Sequence, residues 1–483
     1  MMLPPRADSL QSAPPSARRA ARHCPPRPST PPRSAARDSV AAAALRELPA
    51  ADAQPFHSPL SSPLLLARFP HTSDALLLAT GTDEAATGGV EHSQASLASM
   101  LASHIRSGAI VCDERTMGAT LSDAASKAER LFEAVGVATR GSRTSPESFF
   151  DPDTSQPGGC AARLLLPRLD AAARAALSSL ASSVGCSPSD AAAAVTHLVV
   201  GSLTAPRCSP GPDVGLARSL GLKRSVRRTA LHHLGCLGGL RSLAVAADIA
   251  RSDPFAVVLV VYGDVSSLIG ASLPSPLTEA DLLSIAIFTD GAAAAVVGGS
   301  AAGVPAAGGR FGRERAVASG SSPLARILVS RSQLVLTPNG GRTADDMWMV
   351  ERGYRPDGAL WGENFVSKAV PKHLLRSLPP FVASLLSSAQ SVDAAFPRCV
   401  DDLDVLCHPG GPAVLDAAAR ALRLGPSALD ASWGVLKARG NMSGATNLFC
   451  VHGWARSAGS GRRALGLAFG PGMAVEGVAL QKL

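Results

Sequence analysis

The chain is 483 residues long, 46% hydrophobic and 17% charged, a balance that excludes a disordered chain and suits a large α/β body or two domains. Its net charge of +8 does not point to a nucleic-acid groove. Much of the basic excess lies near the N-terminus, where Arg6, Arg18, Arg19, Arg22, Arg27, Arg33, Arg37 and Arg46 face only Asp8, Asp38, Glu47 and Asp52, and aromatic residues are only 4% of the chain, leaving few rings to stack on bases.

Residues 1–70 are rich in Pro, Ala, Ser and Arg, poor in acids and without hydrophobic period, so they are expected to form a disordered extension. The same composition suits an organelle transit peptide, so the expected location is cytoplasmic or organellar, such as a plastid. From Ala75 onward the pattern becomes α/β. Buried strands are predicted at 75–82, 196–201, 256–262, 293–297 and 403–407, and helices at 92–106, 121–135 and 427–439. Segments 463–469 and 473–480 are predicted to pair around Gly470-Pro471-Gly472. The apolar runs 255–262 and 282–288 are too short to span a membrane. Residues 298–320, dense in Gly and Ala, are expected to be an inserted surface loop. The resulting division is an extension at 1–70, a first half at 71–300, an insertion at 301–325 and a second half at 326–483.

Nine cysteines scattered without C-x-x-C pairs argue against a disulfide framework and a metal site, and for a reducing compartment. Cys112, Cys160, Cys186, Cys399, Cys407 and Cys450 read as core fillers, and His232 and His233 as structural. Cys236 differs, because Gly235-Cys236-Leu237-Gly238-Gly239 precedes a run of helix formers, and His408 and Asn441 follow downstream. A lone cysteine with a distant His and Asn can serve as a thiol nucleophile with an imidazole partner and an amide oxyanion donor. Each residue also has a plainer reading: a buried packing cysteine, a satisfied core histidine, a turn asparagine. It is their joint occurrence that points to acyl transfer. A helix N-terminus and a protonated His408 would lower the Cys236 pKa, so a thiolate at neutral pH is expected.

These strings, with Asp290-Gly291-Ala292-Ala293-Ala294, His408-Pro409-Gly410-Gly411-Pro412, Gly440-Asn441-Met442-Ser443 and Phe469-Gly470-Pro471-Gly472, resemble the type III polyketide synthases, the chalcone synthase-like branch of the thiolase superfamily. The resemblance spans from about residue 75 to the end. It implies a five-layered αβαβα thiolase-like fold built from two duplicated halves, and a homodimer. It implies that Cys236 takes an acyl group from an acyl-CoA starter and extends it with malonyl-CoA, with coenzyme A thioesters as substrates and no resident cofactor. His408 and Asn441 would stabilise the enolate left by decarboxylation. Phe288 would gate the cavity, Arg140 would meet the coenzyme A phosphates, and Gly470, Pro471 and Gly472 would form a cavity loop.

The chain departs from the family at Asp264, where Glu is usual, and at 355–363, which reads as extra sequence. Two other readings stay open: a ketoacyl synthase III-like condensing enzyme using an acyl-carrier protein, and a non-catalytic family member.

Overall fold

The computed structural model describes residues 74–83, 91–141, 160–205, 209–266, 276–305, 314–316, 323–335, 347–354, 360–366 and 369–483. The expected extension at 1–70 lies outside the described residues, as do 355–359 and most of the expected loop at 298–320.

In chain order the first half contains β1 (Ala75–Thr82), β2 (Glu91–Ser93), α1 (Gln94–Arg106), α2 (Glu114–Met117), α3 (Leu121–Ala134) and β3 (Thr139–Gly141). It continues with α4 (Cys160–Val184), α5 (Pro188–Ala194), β4 (His197–Ser202), α6 (Pro212–Ser219), β5 (Arg227–His232), α7 (Gly238–Ser252), β6 (Val257–Val265), α8 (Glu279–Ile287) and β7 (Asp290–Gly298). Local chemistry sets several boundaries. Ser93 and Thr120 cap α1 and α3 by accepting from the backbone N–H groups of Ser96 and Asp123, and capping boxes Ser187/Asp190 and Thr278/Asp281 open α5 and α8.

Two short strands, β8 (Gly303–Pro305) and β9 (Glu314–Ala316), pair antiparallel within the region expected to be loop. The second half comprises β10 (Ala325–Leu334), the hairpin β11 (Met347–Tyr354) and β12 (Leu360–Val366), α9 (Val370–Val392), β13 (Asp404–Cys407), α10 (Pro412–Leu422), α11 (Asp430–Arg439), α12 (Gly444–Ser457), β14 (Arg463–Gly470) and β15 (Ala474–Lys482). The stretch 355–363 read as extra sequence overlaps this hairpin at Leu360–Glu363.

Nine strands run in the order β13-β14-β15-β10-β1-β7-β6-β4-β5, and the order displays the duplication. In the first half β4 is parallel to β6, β6 is antiparallel to β7, and β7 is antiparallel to β1. The second half repeats this with β13, β14, β15 and β10; β5 extends only the first. The halves join where β1 meets β10 over just Ala75–Leu77 and Ala325–Ile327.

Side-chain alternation then builds the layers. Val258, Val260 and Tyr262 of β6 face inward onto Leu240, Leu243 and Ala247 of α7 and Leu448 of α12, while Val257, Leu259 and Val261 face outward onto α4. On β14, Ala464 and Ala468 face inward and Leu465, Leu467 and Phe469 face outward toward α9. The layers are α4, first-half strands, α7 with α12, second-half strands, and α9: the five-layered αβαβα thiolase-like fold. No helix among the described residues is long and apolar enough to cross a membrane.

The paired central helices place the site. A Cβ on Gly239 at the start of α7 would overlap the carbonyl oxygen of Gly444 at the start of α12, and one on Gly238 would overlap the Tyr262 ring. The two N-termini therefore meet backbone to backbone, which only glycine allows.

Candidate active site

Cys236 lies in a single 3₁₀ turn, Gly235–Leu237, that feeds α7. The approach is tight, with φ of 63° at His233 and 55° at Gly235. The Tyr262 hydroxyl, wholly buried beneath the turn, donates to the Gly235 carbonyl at 3.1 Å. Pro471 packs on Gly235, and Leu237 packs on Gly470. The Gly470-Pro471-Gly472 turn between β14 and β15 is thereby held against the nucleophile turn.

His408 follows β13 directly, and its N–H donates to Leu467 O at 2.7 Å, extending the parallel ladder by one residue. The ring is 2% exposed. Its Nδ1 lies 3.1 Å from Asn447 Oδ1, while the buried Nε2 has no hydrogen-bond partner. Asn447 Nδ2 donates to the Cys236 carbonyl at 2.6 Å, so one amide joins the imidazole to the nucleophile turn.

Asn441 sits between α11 and α12. Its N–H donates to Ile287 O and its carbonyl accepts from Thr289 N, both at 3.0 Å, which aligns it with half-buried Phe288 in an isolated parallel bridge. Asn441 Oδ1 accepts from Ser443 N at 2.9 Å. The other end of the amide, Nδ2, is left for the Cys236 sulfur, whose pKa it lowers. The structure thus brings together Cys236, His408, Asn441, Phe288 and the Gly470–Gly472 turn from segments more than two hundred residues apart.

The electrostatics correct one expectation. Burial pushes the Cys236 thiol up to about 12, outweighing the opposing contacts from Ser443 and Asn441, and the nearby Asp264 adds to the rise. Burial likewise pulls His408 down to about 4, with Asn447 opposing. Desolvation by both halves of the molecule thus opposes the helix N-terminal field at Cys236 and the expected charge on each of the two groups.

Arg140 is the second correction. It is 2% exposed, and its guanidinium donates to Ile285 O at 2.9 Å, Phe288 O at 2.5 Å and Gln94 Oε1 at 3.3 Å. Gln94 Nε2 in turn donates to Ala286 O at 2.7 Å. Arg140 satisfies carbonyls at the end of α8, which have no intrahelical donor, and supports the Phe288 backbone instead of presenting its charge to coenzyme A. A smaller correction concerns Cys399, which is exposed and fills no core.

Asp264, the departure behind the nucleophile, is wholly buried. Its Oδ1 accepts from Leu203 N at 2.6 Å, Ser202 Oγ at 2.9 Å, Thr204 N at 3.0 Å and Thr204 Oγ1 at 3.1 Å. Its Oδ2 has no partner, and burial raises the carboxyl to about 6. The Ser443 hydroxyl pulls down both Cys236 and Asp264 without closing a bond of ordinary length to either. Sequence reading missed Asn447, Tyr262 and Ser443 as parts of the site. The available signal for Asn447 was slight: one amide just before the apolar run Leu448-Phe449-Cys450-Val451.

The family description "Chalcone and stilbene synthases, N-terminal domain" matches residues 169–301, and its C-terminal counterpart matches 362–483. Type III polyketide synthase 10 of Oryza sativa subsp. japonica is 32% identical over 305 residues, covering 60% of this chain and 66% of that one. Type III polyketide synthase 21 of the same plant is 30% identical over 377 residues, covering 76% and 85%. Among solved structures, the C-terminal type III polyketide synthase domain of Steely1, a type I/III hybrid from Dictyostelium, shares the fold with a TM-score of 0.66 and 23% identity, over 85% of this chain and 99% of that one. With the two halves in place, and with the buried cysteine turn linked to His408 through Asn447 and to Asn441, this chain belongs to the chalcone synthase-like type III polyketide synthases.

Proposed function

We propose that the protein loads an acyl group from an acyl-CoA starter onto Cys236 and lengthens it with malonyl-CoA, by decarboxylative condensation and a final cyclisation. The observation that supports this reading is that the Asn441 amide reaches the Cys236 sulfur while Asn447 joins the His408 ring to the carbonyl of the same cysteine.

In loading, Cys236 Sγ attacks the starter thioester carbonyl while its proton passes to His408. The bond to the coenzyme A sulfur then breaks, the departing thiolate takes that proton, and an acyl-Cys236 thioester remains. In extension, malonyl-CoA loses carbon dioxide and the electron pair of the broken C–C bond becomes an enolate. Asn441 Nδ2 donates to the oxygen where this charge develops. The enolate carbon attacks the acyl-Cys236 carbonyl and expels the Cys236 thiolate, giving a β-ketoacyl-CoA that can load again. Phe288, beside Asn441, and the Gly470–Gly472 turn, against the nucleophile turn, would border the reaction cavity. A homodimer acting without a resident cofactor or metal is part of the proposal.

Mass spectrometry of the intact protein and its products, with a panel of acyl-CoA starters plus malonyl-CoA, tests the reading. Cys236→Ala should carry no acyl group and form no condensation product, yet still release carbon dioxide from malonyl-CoA. Wild-type condensation by this variant would refute it. Condensation with malonyl-acyl-carrier protein but not with malonyl-CoA would favour the ketoacyl synthase III-like reading.

A further inference from the structure

Asn447 stands in the first turn of α12, 3% exposed, beside the buried apolar residues Leu448, Cys450, Val451 and Trp454. A buried amide is costly unless both ends are bonded. Both ends of this one are bonded, and each bond goes to a different member of the site. The Cys236 carbonyl can only accept, so the end facing it at 2.6 Å is Nδ2. That leaves Oδ1, which can only accept, facing His408 Nδ1 at 3.1 Å. His408 therefore carries a proton on Nδ1, and the buried Nε2 meets no hydrogen-bonding group. A flipped amide would set two oxygens against each other at Cys236 and two donors, or a donor and a lone pair of the wrong tautomer, at His408.

We propose that Asn447 is a positioning residue: it holds a proton on His408 Nδ1 and tethers the ring to the nucleophile turn, leaving Nε2 for the reacting atoms. This rests on the reading of Cys236 as nucleophile and His408 as its partner.

The full chain labelled with ¹⁵N-histidine tests the proposal, the His408 signals being identified by their loss in His408→Ala. Wild type should show a protonated Nδ1. In Asn447→Leu the ring should move to the Nε2–H form, which a free imidazole favours, and iodoacetamide should alkylate Cys236 about 10²-fold more slowly at neutral pH. Asn447→Asp keeps the acceptor for Nδ1 and adds a negative charge, so it should keep the tautomer while the ring takes up its second proton roughly 1–3 pH units higher. The ratio of wild-type to Asn447→Asp alkylation rates should then climb as pH falls, which a purely structural role would not produce. Thermal melts establish that each variant is folded.

A wild-type ring with no proton on Nδ1 would overturn the proposal, as would a folded Asn447→Leu that keeps the Nδ1–H ring and the wild-type alkylation rate. If the spectra and alkylation behave as described but no acyl-CoA loads Cys236, the tautomer assignment holds and the substrate reading fails instead.

Discussion

Asn441 is held by backbone bonds to Ile287 and Thr289, which survive truncation of a side chain whose Nδ2 is the proposed donor and whose Oδ1 accepts from Ser443 N. Asn441→Ala should slow malonyl-CoA decarboxylation by about 10²–10³ and leave single-turnover acylation of Cys236 much less affected, as measured by release of labelled carbon dioxide beside starter loading. Equal losses in both would make Asn441 a fold determinant. Asp264 gives a second test at this scale. Its carboxyl is raised from 3.8 to about 6 by burial, so the folded state favours the protonated form. The stabilisation is complete below the unfolded pKa and is lost as pH rises through the folded one, roughly 3 kcal/mol in all. Asp264→Asn retains an oxygen for the four donors and has no such dependence. Its melting temperature relative to wild type should therefore increase between about pH 4 and pH 7; a constant difference would mean that Asp264 is ionised throughout.

At the scale of elements, the end of α8 is held by the buried pair Gln94 and Arg140, which reach it from α1 and β3. Arg140→Met would strand at least two carbonyls and should cost roughly 2–4 kcal/mol in chemical denaturation, with the folded enzyme keeping its KM for coenzyme A substrates. A raised KM at unchanged stability would restore the phosphate-contact role expected from sequence. The same element logic explains why small residues gather at the start of α7 and α12: Gly239 and Gly444 touch through their backbones, and this close approach lets Asn447 on one helix reach the Cys236 carbonyl ahead of the other.

Across the whole molecule, each half supplies part of the candidate site: Cys236 from the first, His408, Asn441 and Asn447 from the second. The duplicated strands bring them together by sandwiching α7 and α12. Residues 1–70 lack the apolar content to contribute to those layers. A chain starting near residue 71 should melt within about 1 °C of the full chain and keep its activity, because changes outside packed regions seldom exceed a few tenths of a kcal/mol. Insolubility of the shortened chain would make the segment structural.

What the sequence by itself determined is the chemical inventory and the local pattern. The strings around Cys236, His408 and Asn441, the strands at 197–202 and 257–265 and the helix caps are local, because alternation, helical period and side-chain capping act over a few residues. The tertiary structure decided the rest. Arg140 has the residue type for a phosphate contact, and only the arrival of Ile285 and Phe288 beside it turns its guanidinium inward. The helix start beside Cys236 suggests a thiolate, but burial by both halves raises the thiol and lowers the imidazole. Asn447 acquires a task only where His408 and Cys236, 39 and 211 residues away in sequence, meet its two ends. Desolvation and long-range hydrogen bonds depend on which segments pack together, and that information is not carried by any one window of the chain.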